Sequence, residues 1–113
     1  MGWKVCVCTD DLKNVNVHFG RADVGMIYML GASKKPVFVE ERSLSCQENG
    51  QDNHSFVANE KIKKVEDCDY ILCSKIGNKL NRILNIHNIG VIEYQGDIEH
   101  ALIKLTRYLS RMV

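Results

Sequence analysis

The sequence predicts an α/β domain, and two patterns carry that prediction. Its first half reads as three short apolar runs separated by polar or glycine-containing turns. Its second half alternates helical and strand-like periods. Alternation of that kind implies parallel strands joined by right-handed helical crossovers, whereas the opening meander suits antiparallel neighbours. The order of elements is therefore βββαβαβα, in one domain spanning residues 1–113, because 113 residues build one core and are too few for two.

Trp3-Lys4-Val5-Cys6-Val7-Cys8 is the first strand, and Thr9 to Gly20 is a polar loop. Residues 24–30 form a second strand, and Gly31-Ala32-Ser33-Lys34-Lys35 turns the chain back into a third, residues 36–42. Pro36 fits there only as an opening or edge residue, since it has no N–H to give a ladder. Residues 43–54 carry no apolar period, and a stretch of that length in a compact domain is where function tends to reside. Ala58, Ile62 and Val65 have helical spacing. Tyr70-Ile71-Leu72-Cys73 is continuously apolar, as a strand buried on both faces must be. Ile76, Leu80, Ile83, Leu84 and His87 share one face of a second helix, and residues 90–94 form the last strand. Gly96-Asp97 ends that strand and caps the final helix, where Ile98, Ala101, Leu102, Leu105, Leu109 and Met112 make one apolar stripe.

Fifteen basic and fourteen acidic residues leave a net charge of +1, which gives no general electrostatic reason to bind nucleic acid or an anionic membrane. No apolar run approaches the ~18 to 20 residues of a membrane helix, and no signal-peptide pattern opens the chain, so a cytoplasmic protein is expected. The five cysteines are then expected to be reduced thiols. Cys6 and Cys8 share one face of a strand at roughly 6.5 to 7 Å, too far for an easy disulfide. Cys68 and Cys73 are separated by roughly 16 Å of strand and cannot grip one metal ion together. No Cys-x-x-Cys pair exists, which disfavours a zinc ribbon or a ferredoxin-type site. The strand cysteines read as small buried hydrophobes.

Asn14-Val15-Asn16-Val17-His18-Phe19-Gly20-Arg21-Ala22, preceded by Thr9-Asp10, is the most distinctive segment. It resembles the signature of the dinitrogenase iron–molybdenum cofactor biosynthesis family. The resemblance continues through Cys68-Asp69-Tyr70-Ile71-Leu72-Cys73, Ile76-Gly77, Gly90-Val91-Ile92-Glu93 and Gly96-Asp97-Ile98-Glu99-His100-Ala101-Leu102, which covers nearly the whole chain in order. It implies a ribonuclease-H-like three-layer fold with a mixed five-stranded sheet. It also implies a small non-catalytic carrier or scaffold for an iron–sulfur or iron–molybdenum-type cluster or its precursor, with a cofactor-assembly protein as partner. The chain departs from the pattern at Cys73-Ser74-Lys75-Ile76-Gly77, where many members carry a glycine-rich turn and no cation.

In such a sheet, ligands gather beyond the carboxyl ends of the parallel strands. His18 lies in the loop leaving the first strand, and imidazole suits iron and other transition metals. Arg21 and Lys75 would hold an anionic cofactor electrostatically, Gly20 would let the backbone turn behind the imidazole, and the helix start at Ile76-Gly77 would add amide donors. Cys46 and His54, eight residues apart in the unpatterned stretch, are the further candidate metal ligands beside His18. His87 reads as structural near a helix end, His100 as solvent-facing, and Lys104, Arg107 and Arg111 as a solvated face. A two-metal nuclease needs several converging carboxylates. Asp10 stands at the end of the first strand, but Cys73-Ser74-Lys75 offers none, so no enzyme is expected. The alternative is a non-catalytic redox-sensing or protein-interaction domain of the same fold, for which Cys46 is the candidate thiol.

Overall fold

The computed structural model describes residues 2–31, 35–45 and 60–112. Strand alternation in β1 (Gly2–Cys8) puts Val5 and Val7 on one face and Cys6 and Cys8 on the other. All four are fully buried, so β1 is a central strand covered on both sides. The elements that follow are β2 (Asn14–Val15), β3 (Val24–Gly31), β4 (Val37–Ser43), β5 (Tyr70–Cys73), α1 (Asn78–Ile86), β6 (Gly90–Glu93), β7 (Gly96–Asp97) and α2 (Ile98–Arg111). Residues 60–63 are helical as well. The main sheet has five strands in the order β4-β3-β1-β5-β6. β3 runs antiparallel to both β1 and β4, and β5 runs parallel to both β1 and β6, so the sheet is mixed as expected.

One face of the sheet packs Val5, Val7, Leu30 and Leu72 against Ile98, Ala101, Leu102, Leu105 and Leu109 of α2. The other packs Cys6, Cys8, Ile27, Ile71 and Cys73 against Ile62, Val65 and Leu84, with Leu80 and Ile83 beside them. The result is three layers around one sheet, with α1 and the helical turn at 60–63 on one side and α2 on the other. Ile62 and Val65 are buried as their spacing predicts, but Val65 lies in the turn that follows the helical residues; Ala58 lies outside the described residues.

Three expectations need correction. The short strands β2 and β7 pair antiparallel with each other, outside the main sheet. Two residues are too few to show a period, so the sequence reads as loop and stop signal there. Asp97 is also the cap it was expected to be, its carboxylate accepting the His100 N–H at 2.8 Å, and Gly96 sits at φ +134, where a side chain would be strained. Met112 is 65% exposed, because α2 ends at Arg111 and the stripe's last buried member is Leu109. α1 begins at Asn78, so Ile76 precedes it. His87 is structural: it is the C-cap, with its ring Nδ1 2.9 Å from the Ile83 carbonyl oxygen.

β4 is an edge strand, preceded by Pro36 as its ring requires. Its register shifts between Ile27 and Tyr28, leaving Val39 as an extra residue in a bulge. Arg42 ties this edge to the body of the protein. Its guanidinium donates to Asp67 at 2.7 Å and to the Lys64 carbonyl at 2.8 Å, while Lys4 reaches the same Asp67 carboxylate at 3.1 Å. Arg42 first, and Lys4 second, hold the Asp67 carboxyl well below the usual carboxylate range. The native group therefore stays ionised where the unfolded one, with a pKa near 3.9, takes up a proton. That contribution is complete above about pH 4 and is lost as the pH falls further. Asp67→Asn should flatten the acid limb of the melting temperature against pH. The change should be modest, since the clip is partly solvated. An acid limb as steep as that of the wild type would show that this clip does not set it.

Gly25 lies on β3 opposite Cys8 of its neighbour β1. A Cβ there would stand 2.5 Å from the Cys6 Sγ and 3.0 Å from Leu44 Cδ1, both in the packed interior. Gly25→Ala should therefore cost about 1 to 3 kcal/mol by overpacking. Adding Cys6→Ala should give a double variant more stable than the sum of the two single losses predicts. Strict additivity in urea unfolding would mean that the two positions do not clash.

Candidate functional site

The carboxyl ends of β1 and β5 lie side by side, and the chain leaving each of them stays paired with the other. Ser74 N–H donates to the Val17 carbonyl at 3.1 Å and Phe19 N–H to the Lys75 carbonyl at 3.0 Å. His18 and Lys75 thus face each other in a parallel bridge, although 57 positions separate them in sequence. His18 is extended and leads into a single 3-10 turn, Phe19–Arg21. Phe19 is fully buried, so it anchors the turn and leaves the imidazole of His18 exposed.

A second anchor is Lys61, which the sequence reading passed over. It is only 5% exposed, and its ammonium donates to the Gly20 carbonyl at 3.1 Å and lies 5.7 Å above the Phe19 ring. Nothing local marks it, because its partners sit some forty positions away. A buried cation on the carbonyl of this turn fixes the loop from below.

His18 and Arg21 line a cleft of about 550 Å³ with Thr9, Asp10, Asn16 and Asp23. Asp10 and Asn16 close one side, the Asp10 N–H donating to Asn16 Oδ1 at 3.1 Å and Asn16 Nδ2 donating back to the Asp10 carboxylate. Asp23 accepts from the Ser45 hydroxyl at 3.3 Å. The two carboxylates are thus engaged, while among the described residues neither His18 nor Arg21 has a side-chain hydrogen bond or ion pair. The cleft offers one free imidazole and one free guanidinium, with the exposed Lys75 across the bridge.

Two supporting roles expected from the sequence do not hold in geometry. Gly20 has no positive φ, and a Cβ there would meet only Leu80 Cδ1 at an ordinary 3.5 Å, so the turn does not require a glycine. The Ile76 N–H is already donated to the Glu93 carboxylate at 3.0 Å, because the end of β6 lies beside the end of β5. That amide is not open to an anion. Gly77 is the exposed N-cap of α1, and its own side-chain space is empty. Cys46 and His54 lie outside the described residues.

Cys6, Cys8, Cys68 and Cys73 are all free and buried in the layer on one face of the sheet, Cys8 and Cys73 at this end and Cys68 beyond the opposite end of β5. The sheet register brings Cys68 next to Cys6, through the Asp69 N–H donated to the Lys4 carbonyl at 2.7 Å and the Lys4 N–H donated to the Asp69 carboxylate at 2.8 Å. Hydrogen bonding with Cys6, followed by burial, pushes the Cys68 thiol far up. Cys6 is drawn down by Cys68, but its contact with Cys8 and its burial outweigh this and leave it well above the ordinary value. Burial, with Glu93 nearby, pushes Cys73 up to about 11. Cys6, Cys68 and Cys73 are therefore protonated at neutral pH and behave as packing residues rather than thiolate ligands. Among the described residues no group of three or more His, Cys, Asp or Glu side chains is placed to hold a metal ion. Among the described residues the cleft holds no closed cage, and they can supply one metal–imidazole bond and positive charge.

No curated protein matches this chain. Solved structures share its fold. PH0822 superposes with a TM-score of 0.68 at 18% identity, over 93% of this chain and 91% of that one. The Methanocaldococcus jannaschii protein mj0327, described as a dinitrogenase candidate, gives 0.63 at 14% identity, over 96% and 91%. A NifB candidate from Thermotoga, TM1290, gives 0.51 at 18% identity, over 96% and 90%. Identities this low establish the fold alone. The dinitrogenase iron–molybdenum cofactor family matches residues 1–108. On that match, over nearly its full length, this chain belongs to the dinitrogenase iron–molybdenum cofactor family.

Proposed function

We propose that this protein is a small cytosolic carrier for an iron–sulfur-type metallocofactor, of the iron–molybdenum kind or a precursor of it, taken up at the His18 cleft. The observation that carries the reading is the exposed imidazole of His18, set beside Arg21 and bridged to Lys75 at the carboxyl end of the two central parallel strands. The cargo is bulky and anionic, so a single imidazole bond with two flanking cations suits it better than a closed four-ligand site would. A carrier must also release what it holds, which few protein bonds allow. Cys46 and His54 are further candidate ligands, and a cofactor-assembly protein is the partner that would deliver or receive the cargo.

The reading assigns the chain no reaction. Of the carboxylates in the cleft, Asp10 is tied to Asn16 and Asp23 to Ser45, and β5 ends in Cys73-Ser74-Lys75 with no acid to join them. The protein should cleave neither RNA nor DNA with magnesium or manganese. Reproducible cleavage that disappears in Asp10→Asn would replace the carrier with a nuclease. Protein purified without oxygen from cells making the cofactor should carry iron and a broad visible absorption. Iron at background level in such a preparation would count against the reading.

A further inference from the structure

The face of the sheet covered by α2 is not fully covered. α2 leaves a groove of about 720 Å³ between itself and the edge of the sheet, a volume in the range of small-molecule sites. Tyr28 and Pro36 form the sheet side, and Ile98, Leu102, Ile103 and Thr106 form the helix side. The Thr106 hydroxyl donates to the Leu102 carbonyl of its own helix at 2.8 Å, so its bonding capacity is turned inward. The interior of the groove is accordingly apolar.

Its charges are unevenly committed. Asp97 is used as the cap of α2, while Glu99, whose charge adds to burial in pushing the Tyr28 phenol up, has no ion pair among the described residues and stands as one open carboxylate against three cations. Lys13, Lys35 and Arg107 also line the groove, and among the described residues none of them has an ion pair. Arg107, read from the sequence as part of a solvated face, borders this space.

The end of the groove is built at the expense of backbone comfort. Leu12 has φ +64, in the left-handed region that a branched side chain rarely adopts. It is held there firmly. Thr9 Oγ1 accepts the Leu12 N–H at 3.0 Å, the Asp11 carboxylate accepts the Lys13 and Asn14 amides at 2.9 and 2.8 Å, and the Lys13 carbonyl accepts the Ile98 N–H at 2.9 Å. Yet the side chain is 49% exposed, so core packing does not repay the strain. The hydrogen bonds of the turn thus hold Leu12 at the mouth of the apolar groove, with about half of it open to a ligand.

We propose that this groove is a second binding site, separate from the His18 cleft, for a small organic anion with an apolar body. The body lies on Leu12, Tyr28, Pro36 and Ile103, and the carboxylate or sulfonate is met by Lys13, Lys35 and Arg107.

The anionic probe 8-anilinonaphthalene-1-sulfonate tests this on the folded full chain, read by fluorescence titration and by amide NMR shifts. Saturable binding of one probe per chain is expected, with shifts on residues 12–13, 98–107 and 35–36. The double variant Lys35→Glu/Arg107→Glu should weaken it by roughly tenfold or more. Leu12→Asn should weaken it as well while unfolding at the same or a higher urea concentration, since asparagine tolerates the left-handed region. His18→Ala should bind as the wild type does. No saturable binding at millimolar probe would overturn the proposal, as would binding indifferent to the charge reversals. Equal affinity for the uncharged N-phenyl-1-naphthylamine would reduce the site to adventitious apolar adsorption. Loss of probe binding in His18→Ala would give the probe to the other cleft. A solution dimer that Ile103→Glu dissociates would give the groove to a second copy of the chain.

Discussion

Leu102→Ala should cost the fold about 2 to 5 kcal/mol, with the lower half of that range expected. Leu102 is 1% exposed and lies mid-helix on the stripe of α2, packed in the cluster that holds Val5, Val7, Leu30 and Leu72 of the three central strands β1, β3 and β5. Truncation removes buried methyl groups and leaves a void, and both terms act against the folded state. The void opens beside the groove that Leu102 also borders, so repacking and water relieve part of the cavity term. A urea midpoint that falls with an unchanged slope would show a loss of stability rather than a change in the unfolded chain. A loss below about 0.5 kcal/mol, the range of ordinary surface substitutions, would mean that α2 does not rest on the sheet by this stripe.

His18→Ala should weaken cofactor binding by roughly tenfold or more, the loss of at least one metal–ligand bond, and leave the fold intact. The imidazole is exposed and without a partner among the described residues, while the loop's anchors are Phe19 and Lys61 beneath it. Stability should therefore move by no more than about 0.5 kcal/mol. Arg21→Ala should weaken binding less, and its effect should shrink as salt is raised, because an exposed guanidinium acts through a screened field. If His18→Ala unfolds more easily by several kcal/mol, the residue is structural, and its loss of binding says nothing of ligation.

The parts of this fold that repeat were legible in the sequence. Val5, Cys6, Val7 and Cys8 alternate, and the stripe of α2 recurs at helical spacing, because each repeat reports one face of one element. The meander followed by alternation was enough to place β1 beside β5 and so to bring the loop of His18 to the end that carries Lys75. What the sequence did not show is what depends on distant partners. Lys61 reaches Gly20 across forty-one positions, Glu93 takes the Ile76 amide across seventeen, and Cys68 meets Cys6 across sixty-two. No local pattern encodes such meetings. The groove beside α2 was hidden for a related reason: Leu12 looks like any loop leucine until its backbone angle is known.

Binding of an iron–sulfur-type cofactor at His18, as proposed above, is read by anaerobic gel filtration after titration with isolated iron–molybdenum cofactor. Wild-type protein should carry iron through the column at about one cofactor per chain, with little iron on His18→Ala at the same protein concentration and Cys46→Ala falling only if Cys46 is a second ligand. Iron that elutes apart from the wild-type protein, or that follows wild type and His18→Ala equally, would contradict the account.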